Sequence, residues 1–419
     1  MKTEQASEIS SRLALTESGQ LWLNQFDEAD RRLARDFLSM LTLVSHSEFE
    51  RAIESLILRR MDEIEGPIAL FAVRELSKDC LDSYFKVGCG PDGSMSTDAV
   101  TRGADIGSEG RVASFLRNLA KAYPKRLLNH PTIESMRKVN CRAIFMIDDV
   151  LGSGSQTSSF LSAMWRDSTI KSWVSLGYLK FEVICYAVSE AGLRYVQKSR
   201  VKPNVKYKYF CPTLADIQPQ KLKKPLSELF KKYGIKTSRP NLICGYGNIG
   251  ALMVFEHGCP NNTPAMLWAP HIPKRPWFPL FPNRVVIGDA RSVFPPEIVS
   301  RDSVSVLLSV GHKRLAAVNP SVFQHPLSYA VLTLLALISK GARTPSSLCY
   351  SLAMTVDECN SLLEKCINAG YVTPKYRLTD SGYAELRGAI RTRQHFRKVL
   401  PECGEDVYYP NSLRSHLVS

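Results

Sequence analysis

The sequence contains no continuous apolar run of about 18 residues, the length that a membrane-spanning helix needs. Its first ten residues, Met1 to Ser10, are polar and lack the apolar core of a secretory signal. The 11 cysteines are scattered from Cys80 to Cys403 and form no C-x-x-C pair, the spacing typical of zinc and redox sites. We therefore expect a cytoplasmic protein with reduced, mostly buried thiols and without a membrane partner.

The composition is that of a globular protein, with 44% hydrophobic and 22% charged residues. The net charge of +14 is unevenly distributed, because the segment from Val196 to Pro240 contains 12 Lys and Arg but only two acids. Aromatic residues are interleaved with these cations, which suits nucleic-acid binding by charge neutralisation and base stacking. The alternative is a solvated, Lys-rich edge strand and helix. The candidate cations are Lys206, Lys208, Lys221, Lys223, Lys224, Lys231 and Lys232, and the aromatic residues are Tyr207, Tyr209, Phe210, Phe230 and Tyr233.

The most informative motif is an apolar run, Ala143 to Ile147, that ends in Asp148 and Asp149 and continues into a Gly/Ser-rich turn before a helix over 156–165. The run predicts a strand buried on both faces of a parallel sheet, and ligands bind at the carboxyl ends of such strands. The turn directs backbone N–H groups and a helix N-terminus towards an anion. The carboxylates suit sugar hydroxyls or a hydrated Mg²⁺. A buried strand followed by an acidic turn without a ligand is the alternative.

Apolar spacing predicts N-terminal helices over 20–26, 30–43 and 47–64, the last opened by a capping box of Ser47 and Glu50. A strand over 68–73 and an irregular hood or flap over 79–105 follow. A helix over 108–122 and a strand over 180–188 come later in the chain.

Glycines at positions 245, 247 and 250 match the G-x-G-x-x-G pattern of dinucleotide-binding proteins. Neither a helix nor an acid about twenty residues further on follows them, so the pattern predicts a tight turn between two strands instead. The permissive backbone of such a turn can approach a ligand closely.

The last part of the chain predicts helices over 328–340, 344–352 and 355–369, the third capped by Thr355. A small hairpin over 371–378 and a final helix complete the pattern, which resembles a winged helix-turn-helix domain. Residues 328–390 carry six basic and five acidic residues, and the would-be recognition helix begins with Asp357 and Glu358. DNA-reading faces are normally much more positive, so DNA binding and protein contact, including self-association, both stay open.

The strand, acid pair and Gly/Ser turn resemble the sugar-diphosphate loop of type I phosphoribosyltransferases. Seven segments in order extend this resemblance to the phosphoribosyltransferase-like family of bacterial conflict systems, over roughly residues 18 to 285. The segments are Trp22–Asp27, Ala72–Glu75, Gly107–Gly110, the Asp148–Asp149 loop, Cys244–Asn248 with Phe255–His257, Pro260–Thr263 and Pro279–Pro282.

The resemblance implies a role for each matching residue. Asp148 and Asp149 would bind the ribose hydroxyls of phosphoribosyl pyrophosphate and Mg²⁺, and Arg74 would hold pyrophosphate. The 5′-phosphate would lie on Gly152, Ser153, Gly154, Ser155, Gln156 and Thr157. Some relatives carry an acid or Thr where Gly152 stands and a Thr where Gln156 stands, so a general base at that point is missing. Apart from the resemblance, we expect Glu256 or His257 to do acid/base work, with an ordinary hydrogen-bonded loop histidine as the alternative for His257, and a base or acceptor to contact Tyr246, Asn248, Asn261 and Asn262.

The expected protein is thus an α/β phosphoribosyltransferase-like effector of anti-phage defence that acts on nucleotides or nucleic acid. For some relatives the setting is a retron, which would supply RNA, DNA and a reverse transcriptase as partners; a homo-oligomer is a further expectation. A metabolite-sensing transcriptional regulator and a nucleic-acid-coating partner of the reverse transcriptase are the alternatives. The predicted segments are an N-terminal helical segment (1–65), the phosphoribosyltransferase-like domain (66–305), the winged helix (325–390) and a basic tail (391–419).

Overall fold

The computed structural model describes residues 12–76, 84–85, 108–270, 276–286, 288–295, 306–308, 310–316 and 326–399. The chain forms two compact units. The first comprises Met1–Asp302 with Thr344–Ser361, and the second comprises Ser303–Arg343 with Leu362–Ser419. The four segments predicted from the sequence stay predictions, because compactness alone does not mark domain boundaries.

The first unit is built on a parallel sheet with the strand order β3-β2-β4-β5-β6, and β1 and β7 form a separate parallel pair. This is the predicted α/β architecture, a five-stranded parallel sheet flanked by helices. The strands are β1 (Thr42–Val44), β2 (Ile68–Ala72), β3 (Leu127–Asn129), β4 (Ala143–Leu151), β5 (Lys180–Val188), β6 (Asn204–Phe210) and β7 (Met253–Phe255). Its helices span Glu17–Leu23, Glu28–Met40, His46–Asp62, Ser108–Ala122, Ile133–Lys138, Ser155–Trp165, Ser168–Ser175, Glu190–Gln197 and Lys223–Gly234.

The central strand β4 is apolar throughout its first half because both of its faces are covered. Ile144 and Met146 pack on one face with the helix Ser155–Trp165. Phe145 and Ile147 pack on the other face with the helices His46–Asp62 and Ser108–Ala122. Consecutive strand residues point to opposite faces, so the two acids that end this run also face opposite sides of the sheet.

A second core joins the N-terminal helices to the chain after β6. Trp22 and Phe26 are buried there against Trp277 and Tyr233. The β1–β7 pair extends the same connection, because Thr42 lies beside Met253. The N-terminal segment therefore shares one core with the chain that follows β6.

Several sequence predictions change in detail. The N-cap of the helix His46–Asp62 is Ser45, whose hydroxyl accepts from the N–H of Glu48, and not Ser47. No strand precedes the glycines at 245–250, because Pro240–Leu242 and Tyr246–Asn248 are 3₁₀ turns. The predicted hood over 79–105 lies outside the described residues, apart from Tyr84 and Phe85.

The C-terminal helices span Pro326–Ser339, Pro345–Leu352, Val356–Asn368 and Asp380–Val399, and an antiparallel bridge between Val372 and Leu378 closes the predicted wing. This is the predicted winged helix-turn-helix pattern. Thr355 caps its helix together with Glu358, each accepting the other's backbone N–H. None of the helices within the described ranges is long and apolar enough to cross a membrane.

The segment Thr344–Ser361 belongs to the first unit, and polar bonds hold it there. Ser346 donates its hydroxyl to Oδ1 of Asp216 at 2.6 Å, and Tyr350 donates to the carbonyl of Met40 at 2.8 Å. Asp216 is 5% exposed. Burial raises the pKa of this carboxyl, in spite of the hydrogen bonds from Ser346 and Thr213 that favour its ionised form.

Candidate functional site

The predicted loop lies where β4 passes into the helix Ser155–Trp165, at the carboxyl edge of the sheet. Gly154 is the N-cap and has a left-handed backbone, with φ of +77°. A Cβ at Gly192 would lie 2.3 Å from the carbonyl oxygen of Gly152, so the helix Glu190–Gln197 supports the loop at close range. Ser189 also donates its hydroxyl to that carbonyl. The helix Glu190–Gln197 therefore holds the loop in place, and the N-terminus of the helix Ser155–Trp165 is available to an anion.

Asp148 faces the side of the sheet that carries this loop. Thr157, in the first turn of the helix, donates its hydroxyl to Oδ2 of Asp148 at 3.0 Å. Burial raises the pKa of Asp148 well above its usual value, and the negative charge of Asp149 adds to the effect. Burial and the neighbouring charge thus both oppose ionisation of Asp148.

Asp149 faces the other side, where its Oδ2 lies 3.4 Å from Nε2 of His257. Burial opposes ionisation of this carboxyl, but the hydrogen bond and charge of His257 outweigh burial and hold the pKa of Asp149 below its usual value. The pKa values of the two neighbouring acids are thereby shifted in opposite directions.

His257 is enclosed by aromatic rings, and its side chain is 2% exposed. It stacks on Phe255 and meets Phe49 edge to face, with ring centroids 5.0 and 4.9 Å apart. Its Nδ1 has no hydrogen-bond partner among the described residues. A buried imidazole with one open nitrogen beside a carboxylate can hold or move a proton.

His46 and Glu256 lie behind His257. The backbone N–H of His46 donates to Glu256 at 2.9 Å, and Arg291 approaches the same carboxylate at 3.8 Å. Burial lowers the pKa of His46 to about 4, because the positive charges of Arg111, His257 and Arg291 add to burial and outweigh Glu256. Glu256 is thus occupied in joining the His46 helix to Arg291.

The Gly-rich turn packs directly against the loop. A Cβ at Gly247 would lie 2.8 Å from the Cβ of Ser153, and one at Gly245 would lie 2.0 Å from the carbonyl oxygen of Asn262. Nδ2 of Asn262 in turn donates to the carbonyl of Tyr246 at 2.9 Å. The glycines allow close approach to neighbouring protein segments, whereas the predicted approach to a ligand stays a prediction.

Asn262 also explains why position 152 is a glycine. A Cβ at this position would lie 2.2 Å from Oδ1 of Asn262 and 2.4 Å from its Cγ. The side-chain amide of Asn262 therefore occupies the space that any side chain at position 152 would need. The absence of a general base at position 152 is a packing requirement of this chain.

Two adjoining cavities open at this edge of the sheet and share Asp148, Gln156, Asn261 and Asn262. The loop cavity, of about 310 Å³, is lined by residues 152–157 together with Arg74 and Tyr246. The amide cavity, of about 220 Å³, is lined by Asp149, His257, Asn261, Asn262, Asn283, Arg284 and Arg291. Asn248 and Glu256 are the predicted site residues that line neither cavity.

The comparison with protein families agrees with this geometry. The model of the PRTase-CE family, the phosphoribosyltransferases of conflict systems, matches residues 20–283. The chain belongs to the PRTase-CE family. A second family model, described as a winged helix-turn-helix associated with these phosphoribosyltransferases, matches residues 332–415. No curated protein and no solved structure matches the chain.

Sequence reasoning missed part of the candidate site in this PRTase-CE chain. Asn283, Arg284 and Arg291 line the amide cavity, yet they follow the last matching segment, Pro279–Pro282, and form no motif. The one feature of the sequence that points to them is that they lie shortly after Pro279–Pro282.

His130 was missed because it is a single residue at the end of a short strand. Its Nε2 accepts the N–H of Ala72 at 3.0 Å, so the proton lies on Nδ1, 2.8 Å from Oδ1 of Asn129. Burial lowers the pKa of His130 to about 4, with the charges of Arg74 and Arg117 adding to the effect. A neutral His130 thus fixes the end of β2, from which Arg74 extends.

The predicted nucleic-acid residues divide into two groups. Lys208 lies 3.5 Å from Glu48, Lys223 donates to the carbonyl of Ala215, and Lys232 lies 2.6 Å from both Asp27 and Asp30. Lys221, Lys224 and Lys231 are exposed on or beside the helix Lys223–Gly234 and pair with no acid in the described ranges, and Lys206 is half-buried on β6. Among the aromatic residues, Phe230 and Tyr233 are fully buried, so they do not stack on bases.

Asp148 and Asp149 are the acids beside the loop that could hold Mg²⁺. No group of three or more His, Cys, Asp or Glu in the described part of the chain could hold a metal by itself. Mg²⁺, however, usually binds through one or two carboxylates, several waters and the phosphates of a substrate. Asp148 and Asp149, next to a loop suited to phosphate, fit that mode of binding.

Proposed function

We propose that this PRTase-CE chain binds the phosphoribosyl group of phosphoribosyl pyrophosphate or of a nucleotide, together with Mg²⁺, and acts on nucleotides or nucleic acid in anti-phage defence. A retron is the setting to test first, with its reverse transcriptase, RNA and DNA as partners. The observation that carries the proposal is the convergence of the 152–157 loop, the acid pair and Asn261–Asn262 around two adjoining cavities.

Each group has a distinct task in a ribosyl transfer. The loop N–H groups and the helix N-terminus would hold the 5′-phosphate, and Asp149, ionised through His257, would accept the ribose hydroxyls. The C1′–leaving-group bond would break and a bond from C1′ to the acceptor would form while positive charge develops on the ribose, and the carboxylate of Asp149 would stabilise that charge. Arg74, which lines the loop cavity, would stabilise a departing pyrophosphate. Bound Mg²⁺ would neutralise phosphate charge.

Turnover can be tested directly. Purified protein is incubated with Mg²⁺ and either phosphoribosyl pyrophosphate or a nucleotide pool, and released pyrophosphate and free base are measured. We expect product with the wild type, at least about a hundredfold less with Asp149→Asn, and wild-type rates with Asp357→Asn, whose carboxylate is 80% exposed. Absence of turnover, combined with equal toxicity of the wild type and Asp149→Asn in cells, would contradict catalysis.

A second candidate function is favoured by the contact between Gly152 and Asn262. Because the amide fills the place of a possible base, the cavities could recognise a phosphoribosyl metabolite without transferring it, and the winged helix would then act on DNA. The first turn of its predicted recognition helix opposes this, since Asp357 lies 3.6 Å from Arg59 and carries the same charge as phosphate. Salt-dependent binding to duplex DNA that a deletion of residues 362–419 abolishes would support the regulator.

A further inference from the structure

The amide cavity is the place where a second molecule could meet the bound ribosyl group. It lies on the Asp149 side of the acid pair and shares four polar residues with the loop cavity. A group bound there would lie next to a ribose held by the acid pair. The residues of the amide cavity thus determine which second molecule meets the ribosyl group.

Asn283 and Arg284, at its mouth, are held in an unusual backbone conformation. Both have left-handed backbones, with φ of +50° and +70°, which is uncommon for residues other than glycine. The turn persists because Asn283 N–H donates to the carbonyl of Trp268 and the carbonyl of Arg284 accepts from Cys259, at 3.1 and 2.8 Å. A strained turn fixed in this way at the mouth of a cavity is typical of a ligand-binding position.

The two arginines give this mouth a positive charge. Arg284 is exposed and pairs with no acidic side chain in the described ranges. Arg291 forms one ion pair within the described ranges, with Glu256 at 3.8 Å, and its side chain stays 57% exposed. At the other end of the cavity, Oδ2 of Asp149 already lies 3.4 Å from Nε2 of His257. An uncharged nucleobase could hydrogen-bond to the asparagines of the cavity, but it would offer no negative charge to the guanidinium groups of Arg284 and Arg291.

The size of the amide cavity indicates that it encloses only one end of a ligand. Its volume of about 220 Å³ is below the roughly 300–1,000 Å³ of sites that enclose a drug-sized ligand. A ligand would therefore enter with one end and leave the other at the exposed mouth. Arginine side chains bind phosphate groups through charge-assisted, bidentate hydrogen bonds, and two arginines lie at this mouth.

We infer that the molecule entering the amide cavity is a phosphorylated nucleoside, with its base among Asn261, Asn262 and Asn283 and its phosphate on Arg284 and Arg291. This inference rests on the proposed function and names its second substrate. A free nucleotide and the phosphorylated end of a nucleic acid share this chemistry.

The test is a calorimetric titration in saturating ribose 5-phosphate and Mg²⁺, so that the loop cavity is already occupied. Each common nucleoside is compared with its monophosphate. We expect at least one monophosphate to bind about tenfold more tightly than its nucleoside, as a charge-assisted contact implies. Arg284→Gln and Arg291→Gln should each reduce this preference and leave ribose 5-phosphate affinity unchanged. Arg32→Gln, an exposed arginine that lines neither cavity, should retain the preference.

A 5′-phosphorylated dinucleotide identifies the source of the nucleotide. Tighter binding than the monophosphate would assign a nucleic-acid end, and weaker binding would assign a free nucleotide. Equal affinity for nucleoside and monophosphate, or a preference that survives in both arginine variants, would overturn the inference alone. Failure of ribose 5-phosphate to bind would instead overturn the proposed function, and the inference with it.

Discussion

Gly152 and Asn262 require each other, because the carboxamide of Asn262 lies where any Cβ at position 152 would have to be. The amide is not free to swing away, since its Nδ2 is bonded to the carbonyl of Tyr246 at 2.9 Å. This pair links the loop to the Gly-rich turn, two segments almost a hundred residues apart in the sequence.

Substitution Gly152→Ala should therefore lower the free energy of unfolding by about 1–3 kcal/mol, the usual cost of overpacking. In the background of Asn262→Ala the same substitution should cost markedly less, because the clashing side chain is gone. Urea unfolding of the four proteins measures this coupling. Gly388→Ala is the control, since a Cβ there meets nothing within 4 Å. Strictly additive effects of the two substitutions would contradict the described contact.

Substitution His257→Gln should change the pH dependence of ligand binding. His257 holds the pKa of Asp149 below its usual value, so its removal should raise that pKa. Ionised Asp149 accepts hydroxyls, and Mg²⁺-dependent affinity for ribose 5-phosphate should accordingly be lost at a higher pH than in the wild type as the solution is acidified. His312→Gln, outside the site, should keep the wild-type profile. Coincident profiles for His257→Gln and the wild type would remove His257 from this role.

Substitution His130→Asn should reduce the acid sensitivity of the fold. The pKa of His130 is lowered to about 4, so the unfolded chain takes up a proton below about pH 6.5 while the folded chain does so only near pH 4. Stability is therefore lost as the pH falls through this window, by about 2 kcal/mol between about pH 7 and about pH 5 for one such histidine. Asparagine suits the backbone φ of +44° and does not titrate. Urea unfolding at both pH values should show a correspondingly smaller loss in the variant, and an unchanged loss would exclude His130 as the cause.

Simultaneous substitution of Lys221, Lys224 and Lys231 by Gln tests the basic segment as a nucleic-acid surface. If these exposed lysines contact single-stranded phosphates, the slope of log affinity against log salt should fall by about 2, at about 0.7 for each contact. Replacing Lys121, Lys125 and Lys171, exposed elsewhere on the first unit, removes the same charge and should leave the slope unchanged. Equal effects of the two sets would indicate that only overall charge matters.

The elements with strong local signals could be predicted from the sequence. The bounds of Ser108–Ala122 and Lys180–Val188 were predicted correctly, the second from a mostly apolar run in which Glu182 is the one charged residue after Lys180. The loop after β4 was located for the same reason, because strand, acids, glycines and helix are all consecutive.

The remainder depends on contacts distant in sequence. Tyr233 lies among lysines in the sequence, yet it is buried against Phe26 and Trp277, which local composition does not reveal. Arg284 likewise reaches the amide cavity only because a turn held by Cys259 and Trp268 brings it there. Pairings of this kind are decided by tertiary packing and carry no periodic pattern.

The bond between Ser346 and Asp216 has a consequence for how such chains can be recombined. A graft that exchanged the entire winged helix between relatives would also remove the hydroxyl that satisfies a buried carboxylate of the α/β unit. Residues 344–361 belong physically to that unit, although they lie inside the segment that the second family model matches. A functional chimera should therefore be joined after position 361, within the helix Val356–Asn368, and not at the conventional domain boundary.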